Sequence, residues 1–158
     1  MRTATLAALV ALLAPATAGA GLLEPGSLRL GLGLGAGSGV VAAGLELGYV
    51  VNPHVVPGVR VSGRLVDGGP NTGTTEAGVT FYLSPESSFI PYAEGWGGRL
   101  FVGDGLDDAW KVSVGAGVLM VLGTNLGLSI GVSHDRYSFD DGSTFQENRP
   151  TLGIGLFL

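Results

Sequence analysis

One pattern constrains this chain more than any other. From Leu28 onward, apolar residues recur at every second position, with glycine, small or occasional charged residues between them. Leu28, Leu30, Leu32 and Leu34 alternate with Arg29, Gly31, Gly33 and Gly35. An extended chain turns successive side chains to opposite faces, so a period of two marks a strand with one apolar face. The alternation returns along the chain. Val41, Ala43, Leu45, Leu47 and Tyr49 oppose Ala42, Gly44, Glu46 and Gly48; Val59, Val61 and Leu65 oppose Arg60, Ser62 and Arg64. Ala77, Val79, Phe81 and Leu83 oppose Glu76, Gly78, Thr80 and Tyr82. A fifth run spans about Phe89 to Phe101, and its facing stays open, with Tyr92, Glu94 and Trp96 against Ala93, Gly95 and Gly97. Trp110 to Met120, Leu126 to Ser133 and Thr151 to Leu158 complete eight expected strands.

The links between these runs differ in kind. Val51 to His54, Ser84 to Ser88 and Gly123 to Asn125 are short turns by their Asn, Pro, Ser and Gly content. Asp67 to Thr75, Gly103 to Asp108 and Asp140 to Arg149 are longer and polar, while Ala36 to Gly39 is short. Short turns at one end, longer loops at the other and an even strand count are the plan of a membrane barrel.

The two faces favour lipid over water outside. A soluble barrel turns its apolar face inward and needs many Lys and Glu on the other. Here the second face is mainly Gly, Ser, Thr and Ala, and only 13% of the chain is charged. Beyond residue 20 no stretch is apolar for the roughly 18 residues of a spanning helix. A closed barrel is the remaining way to pair every backbone group in a bilayer. The expected fold is all-β: an eight-stranded antiparallel up-and-down transmembrane β-barrel, with a soluble lipocalin-like barrel as its rival. Tyr49, Phe81 and Trp110 suit an interfacial aromatic girdle.

The first segment stands apart. Met1-Arg2, the apolar stretch Leu6–Ala14, Pro15 and Ala18-Gly19-Ala20 follow the order of a cleaved secretory signal. The expected division is a signal peptide at 1–20 and the barrel at 21–158. Loss of Arg2 lowers the basic count from 8 to 7 against 13 acids, a balance that argues against nucleic acid as a partner. The chain has no cysteine, which excludes disulfides, thiolate metal sites and a lipoprotein anchor.

Three segments carry a family resemblance: Gly48-Tyr49-Val50-Val51-Asn52-Pro53, Ile90-Pro91-Tyr92-Ala93-Glu94-Gly95-Trp96-Gly97, and the final Gly153-Ile154-Gly155-Leu156-Phe157-Leu158. With them the 21–158 region resembles the small outer-membrane barrels typified by the OmpA transmembrane domain, OmpX and OmpW. The resemblance implies a bacterial outer-membrane location, insertion by the barrel-assembly machinery, and contact with outer-membrane lipid and lipopolysaccharide. Members of that family usually end in Phe; here Phe157 is penultimate and Leu158 is last.

The inward face collects the candidate site. Arg29, Glu46, Arg60, Arg64, Glu76 and Lys111, with Glu94 if the fifth strand faces that way, form an expected lumen charge cluster. Charges in a narrow lumen must pair, because stranding one costs on the order of 3–5 kcal/mol. The reading is a salt-bridge plug in a structural or surface-interaction barrel. The alternative is a narrow porin or a transport barrel for small or apolar solutes. His134, Asp135, Arg136 and Ser138 offer a weaker hydrolase reading, a lipid-modifying enzyme, and His54 reads as turn-filling. The acids Asp67, Asp104, Asp107, Asp108, Asp140, Asp141 and Glu147 match no calcium-loop spacing. No enzyme activity, cofactor or metal is expected, and the chain is expected to be a monomer.

Overall fold

The computed structural model describes residues 22–37, 40–103 and 108–158. The expected signal peptide lies outside them, as do Asp104 and Asp107. Eight strands follow in chain order: β1 (Leu28–Gly37), β2 (Val40–Tyr49), β3 (Val55–Val66), β4 (Thr72–Tyr82), β5 (Phe89–Val102), β6 (Ala109–Val121), β7 (Leu126–Phe139) and β8 (Thr144–Phe157). Each pairs antiparallel with the next, and β8 closes on β1, giving a barrel of order β1-β2-β3-β4-β5-β6-β7-β8.

The register carries a stagger. The row of partners that starts at Leu30 runs through Leu47, Val59, Ala77, Gly97, Val112 and Arg136 to Gln146. Leu30 itself pairs with Leu156 on β8, ten residues from where the row arrives. Closing a barrel requires strands to tilt and the register to shift in this way. As a consequence β8 and its partner β7 rise past the end of β1. The β7–β8 ladder runs from Leu126↔Leu156 to Ser138↔Thr144, while β1–β8 runs only from Arg29↔Phe157 to Leu34↔Leu152.

The outward face is apolar. Leu32, Leu34, Val41, Leu45, Val59, Val61, Val112, Val114, Ile130, Val132, Leu152 and Ile154 are all exposed. An exposed belt of Leu and Val on every side is the reverse of a soluble barrel and suits hydrocarbon. Tyr49, Phe81 and Trp110 also point outward. The rival soluble reading fails on this face, since it would turn these leucines and valines inward.

Three elements differ from the sequence reading. β4 starts at Thr72, so the loop expected at 67–75 shrinks to 67–71. β7 extends to Phe139, and β8 starts at Thr144 inside the polar stretch expected as a loop. Thr144–Arg149 has no apolar alternation, and its pairing with β7 holds it extended. Strand β5 resolves its open facing: Ile90, Tyr92, Trp96 and Leu100 are buried and inward, opposite exposed Pro91, Ala93 and Gly97.

Candidate functional site

The side chains inside the barrel form three layers. At the end carrying the termini, Leu22, Leu23, Val50, Val56, Tyr82, Ile90, Tyr92, Leu119, Val121 and Phe157 form an apolar cluster. Leu22 and Leu23 precede β1 and are 2% and 4% exposed. Their segment is held across the barrel mouth by Gly26 N–H donating to Val50 C=O (2.8 Å) and Val50 N–H donating to Ser27 C=O (2.9 Å). At the loop end Leu100, Ala109 and Tyr137 pack with Val102 and Phe139. Between these layers lies a polar mesh.

That mesh holds all six residues of the expected cluster. Arg60 of β3 grips Glu76 of β4 with two hydrogen bonds, from Nε at 2.9 Å and Nη2 at 3.0 Å. The Lys111 ammonium of β6 reaches the same Glu76 carboxylate at 3.2 Å from two strands away, and Thr74 donates to it at 3.3 Å. Lys111 also lies 3.4 Å from Asp135, which accepts from Arg149 at 2.9 Å and from the Ser113 hydroxyl. On its other side Arg60 reaches Glu94 at 3.6 Å. The result is one continuous line of alternating charge: Glu94, Arg60, Glu76, Lys111, Asp135, Arg149. Arg29 pairs separately with Glu46 at 3.0 Å. Arg64 spans the lumen from β3 to β8 and grips Glu147 at 2.8 and 2.9 Å, with Tyr137 hydroxyl bridging the pair.

Counted together, the described lumen pairs five cations (Arg29, Arg60, Arg64, Lys111, Arg149) with five anions (Glu46, Glu76, Glu94, Asp135, Glu147). Buried charges persist when each is paired and hydrogen-bonded. The sequence reading missed Asp135, Glu147 and Arg149. By residue type Glu147 and Arg149 fall in a polar loop, and Asp135 in the weak hydrolase set with His134, Arg136 and Ser138. Their signal was the strict alternation itself: extending the period from Ser133 puts Asp135 and Tyr137 inward.

Aromatic side chains take much of the remaining space, more than a mainly small inner face would suggest. Arg60 stacks over Trp96 with its guanidinium carbon 4.4 Å from the ring centre. Glycine on neighbouring strands makes the room: a Cβ on Gly78 would stand 2.6 Å from the Trp96 ring, and one on Gly117 or Gly131 2.7 Å from the Tyr92 hydroxyl. The small residues concentrate instead on β1, β2 and β8. There a cavity of about 120 Å³ lies against Gly31, Gly33, Gly35, Ala42, Gly44 and Gly153. It borders the Arg29–Glu46 pair, Arg60 and Arg149, and Arg29 Nε is buried without a hydrogen-bond partner.

The other candidates fall elsewhere. His134 is exposed on the outer face of β7, opposite Val114 and Asn148, and its Nδ1 contacts Asn148 Oδ1 at 2.9 Å. Asp135 lies on the opposite face, buried with Arg149, so it does not orient His134 or Ser138 as a hydrolytic set would require. His54 Nδ1 contacts the Tyr82 carbonyl at 2.7 Å and closes a turn. Among the described residues no group of His, Asp and Glu is arranged to hold a metal.

The sequence matches no family model, and no curated relative matches it. Solved structures do match its fold. The N-terminal β-barrel domain of Pseudomonas aeruginosa OprF aligns with a TM-score of 0.68 at 16% identity, covering 85% of this chain and 98% of that one. Neisserial surface protein A aligns at 0.59 and 15%, covering 82% and 94%. The outer membrane enzyme PagL aligns at 0.56 and 14%, covering 81% and 98%. At these identities the likeness concerns architecture: this chain has the fold of the small eight-stranded outer-membrane β-barrels, consistent with the OmpA-like and OmpX-like proteins.

Proposed function

We propose that the protein is a structural, surface-presenting barrel of the bacterial outer membrane whose lumen is plugged by its ion-pair mesh. The single observation behind this reading is the balanced set of five cations and five anions between two apolar layers. An eight-stranded interior is just wide enough for side chains to fill, and a hydrated ion passing here must displace several buried pairs at once. Insertion needs the barrel-assembly machinery, and a closed ladder with no free edge inside the bilayer supports a monomer. Lipid and lipopolysaccharide are its surroundings. At the loop end the outer face carries Arg99, stacked 4.9 Å from Trp110, and exposed Arg136, which suit lipid phosphates.

The test is conductance. Purified barrel in a planar bilayer should give no steady current. A stable, ion-selective channel would overturn the plug and favour the second reading, a narrow path for ions or small solutes. That second reading draws on one observation, the cavity beside the glycine wall of β1, β2 and β8.

A further inference from the structure

We infer that the outer face of β5 holds one phosphorylated glycolipid of the outer leaflet, with its phosphates on Arg99 and Arg136 and one acyl chain in a trough floored by Gly95 and Gly97. The inference deepens the proposed function and rests on its reading that the loop end faces outward. It starts from where the charges stand. Of the eight Arg and Lys in the chain, Arg2 lies outside the described residues and five point into the lumen. Arg99 and Arg136 are the other two, and both lie on the outer face. Every Asp or Glu within the eight strands is one of the five lumen anions. A chain of net charge −5 thus gives the outer side of its described strands cations alone.

The two cations share one level and one side. From Arg99 a row of partners runs through Trp110 to Ser138. Such rows climb ten residues in a full circuit, so a level line falls back by roughly one residue per strand. Two strands on, it has dropped from Ser138 to Arg136. Strands β5 and β7 are roughly 10 Å apart, with Trp110 on the strand between them. Arg99 stacks on Trp110 at 4.9 Å and lies 3.9 Å from Asp108. Trp110 and Arg136 are exposed. Guanidinium groups bind phosphate through paired hydrogen bonds, and two at this spacing suit a headgroup with two phosphates better than a single phosphodiester.

Below Arg99 the outer face of β5 reads Gly97, Gly95 and Ala93. Glycine weakens a strand, and inside one it often marks close approach by a backbone or a ligand. The inward glycines answer to the barrel itself: a Cβ on Gly78 would stand 2.6 Å from the Trp96 ring, and one on Gly98 2.7 Å from the Glu76 Cα. The outward pair do not. Among the described residues a Cβ on Gly95 would meet nothing within 4 Å, and one on Gly97 only the Lys111 carbonyl oxygen at 4.0 Å. Their missing side chains leave a hollow on the lipid side, walled by Val79 of β4 and by Val112 and Val114 of β6. From Ala93 to Gly97 it runs roughly 13 Å along the strand and ends at Arg99. An acyl chain lying there brings its headgroup to the two arginines.

The purified barrel in detergent is titrated with diphosphoryl lipid A, monophosphoryl lipid A or phosphatidylglycerol and read by native mass spectrometry. EDTA is present, so that no divalent ion bridges phosphate to Asp108. One diphosphoryl lipid A is expected to bind at least tenfold more tightly than phosphatidylglycerol, with the monophosphoryl form between them. Arg99→Gln and Arg136→Gln should each weaken it at least fivefold. Gly95→Leu fills the hollow without an internal clash and should weaken it as much, while the barrel keeps its heat-modifiable gel shift. Leu32→Ala, on the opposite wall, should change nothing. Equal binding of the three lipids, unchanged binding in the arginine variants or in Gly95→Leu, or an equal loss in Leu32→Ala would each overturn the assignment. An epitope inserted at Asp141 and probed on whole cells reports separately whether the loop end is outside.

Discussion

Glu76 is the joint of the lumen mesh, and Glu76→Gln tests whether that mesh stabilises the barrel. The carboxylate is 2% exposed and receives Arg60 through two hydrogen bonds and Lys111 through one. Glutamine keeps the shape and one acceptor but removes the charge. Lys111 is then left with Asp135 at 3.4 Å, which is already engaged by Arg149, and Arg60 with Glu94 at 3.6 Å. Removing one partner of a buried pair costs about 3–5 kcal/mol, and the surviving amide acceptor puts this case near 3. Lys111→Met is the contrast. It removes a buried ammonium whose two acids both keep a nearer arginine at 2.9 Å, so although the mesh is left with an excess anion the loss should be smaller than for Glu76→Gln. The assay is urea unfolding in lipid bilayers, followed by Trp96 fluorescence and by the heat-modifiable gel shift. Glu76→Gln costing under about 1 kcal/mol, or Lys111→Met costing as much as Glu76→Gln, would refute the charge accounting.

Other perturbations read other layers. Leu22→Ser with Leu23→Ser should cost at least about 4 kcal/mol, since each emptied buried leucine site costs about 2 or more. In the cysteine-free chain, a Thr80→Cys reporter should then react with a small charged thiol reagent at least tenfold faster; unchanged reactivity would show that the N-terminal segment does not seal that mouth. Gly78→Ala should cost about 1–3 kcal/mol and shift Trp96 emission, because the added methyl stands 2.3 Å from the Gly95 carbonyl oxygen and 2.6 Å from the indole ring; a neutral result would refute this close approach of β4 and β5. Asp141, in the β7–β8 loop, accepts from the Ser143 hydroxyl and backbone N–H, the latter at 2.8 Å, which holds its carboxyl below the usual range. A lowered native value adds stability above the ordinary range near pH 4, and that contribution is lost as pH falls below it. Asp141→Asn should flatten the pH dependence of amide exchange at Ser143 between pH 3 and 5, and an unaltered profile would exclude this origin.

Much of the barrel can be read from residue type. The leucines of β1 and the valines of β6 reveal both their strand and their outward face, because lipid demands apolar side chains there at every second position. Where that alternation lapses the rule loses its force. Thr144–Arg149 is as extended as Leu152–Phe157, yet only its pairing with β7 reveals it. In β5 both faces mix polar and apolar residues, since Tyr92, Glu94 and Trp96 answer to partners inside the barrel rather than to a solvent.

The six-residue charge cluster was legible because each member interrupts a face that is otherwise small. Its wiring was not. Arg64 meets Glu147 across 83 positions of sequence, and Lys111 meets Glu76 across 35. Those meetings depend on the ten-residue stagger with which the barrel closes. By itself, then, the sequence determined the number of strands, the alternation and the face that every strand but β5 shows outward. Tertiary structure decided which charges pair and where the cavity lies, because these follow from the closure and tilt of the sheet rather than from any local preference.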